Sequence, residues 1–141
     1  MSSKLGVRDC NCNALRRAAR RISNFYDGEL AASGLRATQF AILASINDMD
    51  DATASAIAER LALDRTTMGR NLRPLEREGL IKRGASVQDG RSRTITLSKA
   101  GFEKLKKAVP LWRRAQSRFE RNNDPAKVAS LRKALAGLKI N

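Results

Sequence analysis

Histidine is missing from all 141 residues, and that absence excludes more chemistry than any residue present suggests. No Ser-His-Asp or Cys-His pair can be assembled, and no metal can be held by imidazole. Cysteine is nearly absent as well. Cys10 and Cys12 alone cannot close a tetrahedral zinc site or build a disulfide framework. No glycine loop has the spacing that cradles phosphate, and the few carboxylates read as helix caps and surface charges. The chain is therefore not expected to be an enzyme, and no cofactor or metal is expected. Long apolar runs are lacking too. None approaches the roughly 20 residues that span a bilayer, and the opening MSSKLGVRD has no apolar signal core. The expected location is the cytoplasm, with no membrane partner.

Acidic residues are the other shortage. Lys and Arg number 28 against 14 Asp and Glu, a net charge of +14 and a pI near 11.0. Such an excess favours a polyanionic partner. Nucleic acid is the first candidate and an anionic membrane surface the second. A merely soluble basic surface is the bland alternative.

Residues 53–98 give the charge a layout. Two short helical patterns run into Gly79, an apolar-basic strand, a tight Asp89-Gly90 turn and a second strand. Thr53 or Ser55 suits the first of these helices as N-cap, and Asp64 the second, by accepting the orphan amides of Thr66 or Thr67. In the second helix Met68, Leu72 and Leu75 form an apolar stripe. Arg65, Thr66, Gly69, Arg70 and Arg73 fall largely opposite, with Thr67 and Asn71 on the flanks. Pro74 removes one backbone bond inside this helix and should bend it. Strands are expected at 80–85 and 94–98, joined by a hairpin containing Asp-Gly. This is the pattern of a helix-turn-helix with a β-wing.

Such a reading head has a mechanical logic. A recognition helix presents its N-terminal residues to base edges in the major groove. Arg65 and Arg70 can grip guanine or clamp phosphate, Asn71 can pair with adenine, Thr66 and Thr67 suit phosphate or a thymine methyl, and Arg73 is a further expected DNA contact. Arg91 and Arg93 on the wing can enter a minor groove, where a narrow A·T tract concentrates negative potential. Asp89 would repel phosphate, so its expected role, like that of Asp64, is to fix geometry. Any one of these arginines could equally be a solvated surface charge. The joint arrangement is the specific signal.

Helices flank the head. Apolar spacing predicts one over 13–32, through Leu15, Ala18, Ala19, Ile22, Phe25, Tyr26 and Leu30, ended by Gly34. Another is expected from Thr38, as its cap, to Asn47, followed by an acidic loop at 48–51. Ser98 should cap a long helix reaching about Arg121, with Phe102, Leu105, Val109, Trp112, Ala115 and Phe119 on its core face and a kink at Pro110. Asp124-Pro125 opens a last helix carrying Val128, Leu131, Leu135 and Leu138.

The segments LRATQFAILASI, IAERLALDRTTMGRNLRPLEREGLIKR and QDGRSRTITLSKAG resemble the core of the MarR family of bacterial transcriptional regulators. Its DxR wing motif falls on Asp89 and Arg91. The resemblance implies a mainly α fold with a small β-wing, in a single domain over 1–141. The winged helix-turn-helix lobe would cover 35–98, with dimerisation helices at 10–34 and 99–141. It further implies a homodimer on a pseudo-palindromic operator in double-stranded DNA, acting as a repressor released by a small aromatic ligand or an oxidant. Phe25, Tyr26, Phe40 and Trp112 are candidates to line a ligand pocket, although aromatics at helical spacing are more often core. Cys10 and Cys12, beside Arg8, Arg16 and Arg17, are candidates for redox sensing, since positive charge and a helix N-terminus favour thiolate. Two inert thiols are the commoner outcome.

Two further function classes compete with the specific regulator. One is an architectural, non-specific nucleic-acid-binding protein whose affinity is set by salt. The other is a partner of membrane surfaces or acidic proteins acting through its basic helices.

Overall fold

The computed structural model describes residues 3–85 and 93–141, and in them the chain is a helical body that carries a short two-stranded sheet. A 3-10 turn at Val7–Asp9 leads into α1 (Asn11–Leu30), and a second one follows at Ala31–Ser33. Then come α2 (Ala37–Asp48), α3 (Ala54–Leu61), α4 (Arg65–Arg77), β1 (Ile81–Ala85), β2 (Arg93–Leu97), α5 (Lys99–Asn123) and α6 (Pro125–Ala136). This is the mainly α architecture with a small antiparallel sheet that the sequence predicts.

The core gathers where α2, α3, α4 and the sheet meet α5. Leu30, Ile42, Leu43, Ile57, Leu72, Leu75 and Ile95 are its fully buried large side chains. The stripe predicted for α4 is present, with Met68, Leu72 and Leu75 all buried. Thr53 caps α3 by accepting from the Ala56 amide at 3.1 Å, and Ser98 caps α5 by accepting from Gly101 at 3.0 Å. Asp124 caps α6 ahead of Pro125, accepting from Ala126 at 3.1 Å.

Several expectations need correction. Thr38 is not a cap. Arg36 holds that position, its amide donating to Gln39 Oε1 at 3.0 Å, while Asp27 reaches across from α1 to accept from the Ala37 amide at 2.7 Å. A carboxylate ten residues upstream thus supplies what a local hydroxyl was expected to supply. The core face of α5 is shifted as well. Phe102 is 49% exposed, and Gly101 and Ala108 are buried in its place. Leu15, Leu131, Leu135 and Leu138 are about half exposed within one chain, and Leu138 lies beyond the end of α6. Pro74 and Pro110, the expected bend and kink, lie inside continuous α4 and α5.

Candidate nucleic-acid interface

Three residues turn the chain from α3 into α4. Ala62 takes the left-handed conformation at φ 53°, and the Leu63 amide donates to Ala58 O at 2.8 Å, closing α3 without a glycine. Asp64 then caps α4. Its carboxylate accepts from the Thr67 amide at 2.8 Å and from the Thr67 hydroxyl at 2.9 Å. The Thr67 amide, and next the Thr67 hydroxyl, hold the Asp64 carboxyl below its ordinary value, and Arg70 adds to the effect.

That shift carries a sign. A depressed carboxylate stabilises the folded state while it is ionised, and the benefit is lost as pH falls through the folded value. The stability gap between the wild type and Asp64→Ala should be constant above about pH 5 and close at lower pH, since an unfolded Asp titrates near 3.9. Asp64→Asn should keep much of the cap, because an amide oxygen also accepts, yet lose the pH dependence. Thermal unfolding across that range reads both.

The other end of α4 is equally defined. Gly79, at φ 71°, donates to Glu76 O at 3.0 Å, and Leu80 donates to Leu75 O at 2.9 Å, a Schellman ending with buried Leu75 and Leu80 as its apolar pair. Ser98 Oγ donates to Gly79 O and Ser98 N to Leu80 O, so the end of α4 is bonded to the start of α5.

Between these fixed ends, Arg65, Thr66, Arg70 and Arg73 are exposed, and none of the three arginines is in an ion pair among the described residues. Arg77 joins them. With Arg70, Arg73, Pro74 and Glu76 it lines a shallow groove on the helix. The spacing 70, 73, 77 could have revealed Arg77 in the sequence. Two predicted contacts are partly committed elsewhere. The Thr67 hydroxyl serves the cap, and Asn71 Nδ2 donates to Thr67 O at 2.8 Å, so pairing with adenine would require that bond to open. Arg83 is also engaged, in an ion pair with Glu76 that ties β1 to α4.

The strands pair from Ile81 with Leu97 to Ala85 with Arg93, which puts exposed Arg93 at the outer end of the described wing. Asp89, Gly90 and Arg91 lie outside the described residues. β2 is fastened to the residues just ahead of α3 by a bridge between Thr53 and Thr94 and by the Ile95 amide donating to Ala52 O at 2.7 Å. No local sequence signal announces that tie.

The four aromatics expected to line a ligand pocket form two pairs. Phe40 stacks on Trp112 with centroids 5.6 Å apart, joining α2 to α5. Phe25 meets Tyr26 edge-on at 5.7 Å, and the Tyr26 hydroxyl bonds Gln116 across α1 and α5. Burial, and next Glu120, raise the Tyr26 pKa. An open groove among the described residues is lined by other side chains, Ile46, Met49, Ile95, Leu97 and Phe102 among them. Cys10 sits at the N-cap of α1 and Cys12 in its first turn, both exposed free thiols.

The family model described as MarR family matches residues 35–92. The solved transcriptional regulator MosR of M. tuberculosis, in complex with DNA, is 36% identical over 94% of this chain and 100% of its own, with a TM-score of 0.76. The transcriptional repressor CouR, bound to a 23-mer DNA duplex, is 26% identical over 96% of this chain and 97% of its own, with a TM-score of 0.81. MarR of E. coli shares the fold at 20% identity, a TM-score of 0.72 and coverage of 96% and 97%. No curated protein sequence matches the chain.

Proposed function

The chain belongs to the MarR family of transcriptional regulators, and from that premise we propose that it binds a pseudo-palindromic operator as a homodimer and represses transcription until a small ligand or an oxidant releases it. One observation carries the DNA reading. A helix capped at both ends by defined hydrogen bonds exposes Arg65, Arg70 and Arg73, none of them in an ion pair among the described residues. MosR at 36% identity and CouR at 26% were both solved in complex with DNA. On this reading α4 enters the major groove and Arg93, with Arg91, the minor groove. Arg77 extends the phosphate contacts.

The dimer reading rests on uncovered apolar surface. Leu15, Leu131, Leu135 and Leu138 are exposed, and all lie in the segments 10–34 and 99–141. A second copy that buries them gains about 25 cal/mol per Å² of apolar area. Symmetry also doubles the base contacts, since one recognition helix covers only a few base pairs.

Release requires a signal that favours one head spacing over another, because a ligand binding both states equally shifts nothing. The pairs Phe40–Trp112 and Phe25–Tyr26 stand where α1, α2 and α5 meet, and a ligand inserted there would move the bonded junction of α4 and α5. Oxidation of Cys10 or Cys12 is the second route, since both thiols are exposed.

Selection of bound duplexes from random DNA tests the proposal. The expected result is a two-fold symmetric motif with half-sites about 10 bp, or a multiple of it, apart. Mild peroxide should lower the bound fraction for the wild type and not for Cys10→Ser/Cys12→Ser. Recovery of unrelated sequences, bound with a strength set only by salt, would establish the architectural reading instead.

A further inference from the structure

The basic excess does not reside in the reading head. Residues 35–98 hold 10 Lys and Arg against 8 Asp and Glu, a net of +2. The remaining segments, 1–34 and 99–141, hold 18 against 6, a net of +12. A second copy cannot neutralise that field, because it brings the same +12. The six carboxylates of these segments are also largely occupied. Glu29 pairs with Arg114 and Arg118, Glu120 with Arg132, Asp27 with the Ala37 amide, and Asp124 caps α6.

The densest part of this charge is on α1. Arg16, Arg17, Arg20 and Arg21 recur at i, i+1, i+4 and i+5, which places them on one face at 100° per residue. All four are exposed, and none forms an ion pair among the described residues. No carboxylate occurs between Cys10 and Tyr26. The apolar stripe Leu15, Ala18, Ile22 and Tyr26 lies on the opposite face, so covering that stripe leaves the arginines in solvent. The row is about 7.5 Å long at 1.5 Å per residue, comparable to the separation of neighbouring phosphates.

We propose that the α1 arginine face is a second, sequence-indifferent binding surface for double-stranded DNA, by which the protein holds a second duplex segment while its reading head holds the first. Charge complementarity selects the occupant. The face offers a row of guanidinium groups, and the exposed apolar side chains near it, Leu5 and Val7, lie in the short segment before α1 and form no continuous apolar face to enter a lipid interface, whereas duplex backbone presents a matching row of fixed charges. The inference rests on the head as the first DNA contact.

A bridging measurement tests it. A duplex carrying the selected site is tethered, protein is added, and capture of a second, labelled duplex of unrelated sequence is read over a salt series. The wild type should capture it. Substituting R16Q, R17Q, R20Q and R21Q together should leave binding to the tethered duplex within about twofold, lower capture about tenfold or more, and reduce the salt slope of capture by about 3 to 4, at about 0.9 per phosphate contact. Glutamine retains helix propensity. The four-lysine counterpart should still capture, because the contact is charge and not shape. Equal capture by the four-glutamine protein overturns the proposal. So does a wild type that holds the tethered duplex and captures nothing, or one that prefers phosphatidylserine vesicles to the second duplex. Unchanged binding of R65A/R70A to the tethered duplex would instead refute the reading head, and the comparison of α1 variants would stand.

Discussion

Gly101→Ala is expected to destabilise the protein by about 3 kcal/mol or more, at the upper end for overpacking a filled core. A Cβ at Gly101 would stand 2.0 Å from Leu80 O and 2.9 Å from Leu80 C. Both are backbone atoms, and the Leu80 carbonyl already accepts from Ser98 N, so neither can turn aside. Relief would come only by separating the first turn of α5 from the start of β1. Against a typical total of about 5–15 kcal/mol, that is a large share. Urea unfolding should show the midpoint falling with the slope little changed. Gly28→Ala is the control, since nothing lies within 4 Å of its Cβ position in the last turn of α1. It should be neutral or stabilising by up to about 1 kcal/mol. The same junction joins the recognition helix to the helical body, so Gly101→Ala protein that remains folded should also bind DNA less tightly.

Arg65→Ala/Arg70→Ala should lower affinity for the selected site about a hundredfold or more, because each good base contact is worth about 1–3 kcal/mol. Stability should change by less than about 0.5 kcal/mol, since both side chains are exposed and outside any ion pair among the described residues. Affinity for unrelated DNA should fall less than affinity for the site, and the ratio between the two is the informative quantity. An equal loss on both would mean that these arginines touch only phosphate.

The parts of this head that could be read in the sequence are those fixed by neighbours within four residues. Asp64, Ser98 and Asp124 cap their helices because a short acceptor beside three orphan amides needs nothing further. Gly79 ends α4 because a left-handed residue is cheapest there. Met68, Leu72 and Leu75 are buried because their period matches the helix. Misreadings arose where a distant group took over a local role. Asp27 supplies the start of α2 from another helix, which made a Thr38 cap unnecessary. Ala62 occupies a left-handed turn that carries no glycine to mark it. Phe102 has the period of a core residue, yet Gly101 sits so close to Leu80 that α5 turns Gly101 and Ala108 inward and leaves the ring half in water.

The sequence by itself determined the order of the main helices and strands, the caps of α4, α5 and α6 and the excess of positive charge, because composition, period and short-range hydrogen bonding are local properties, and its motif segments carried the family resemblance. Tertiary structure alone decided which arginines remain available. Arg83 is taken by Glu76, Arg114 and Arg118 by Glu29, while Arg65, Arg70 and Arg73 on α4 and the four arginines of α1 are left facing outward. Whether a charge pairs within its own chain depends on which carboxylate folding brings within about 4 Å, and no spacing along the chain encodes that distance.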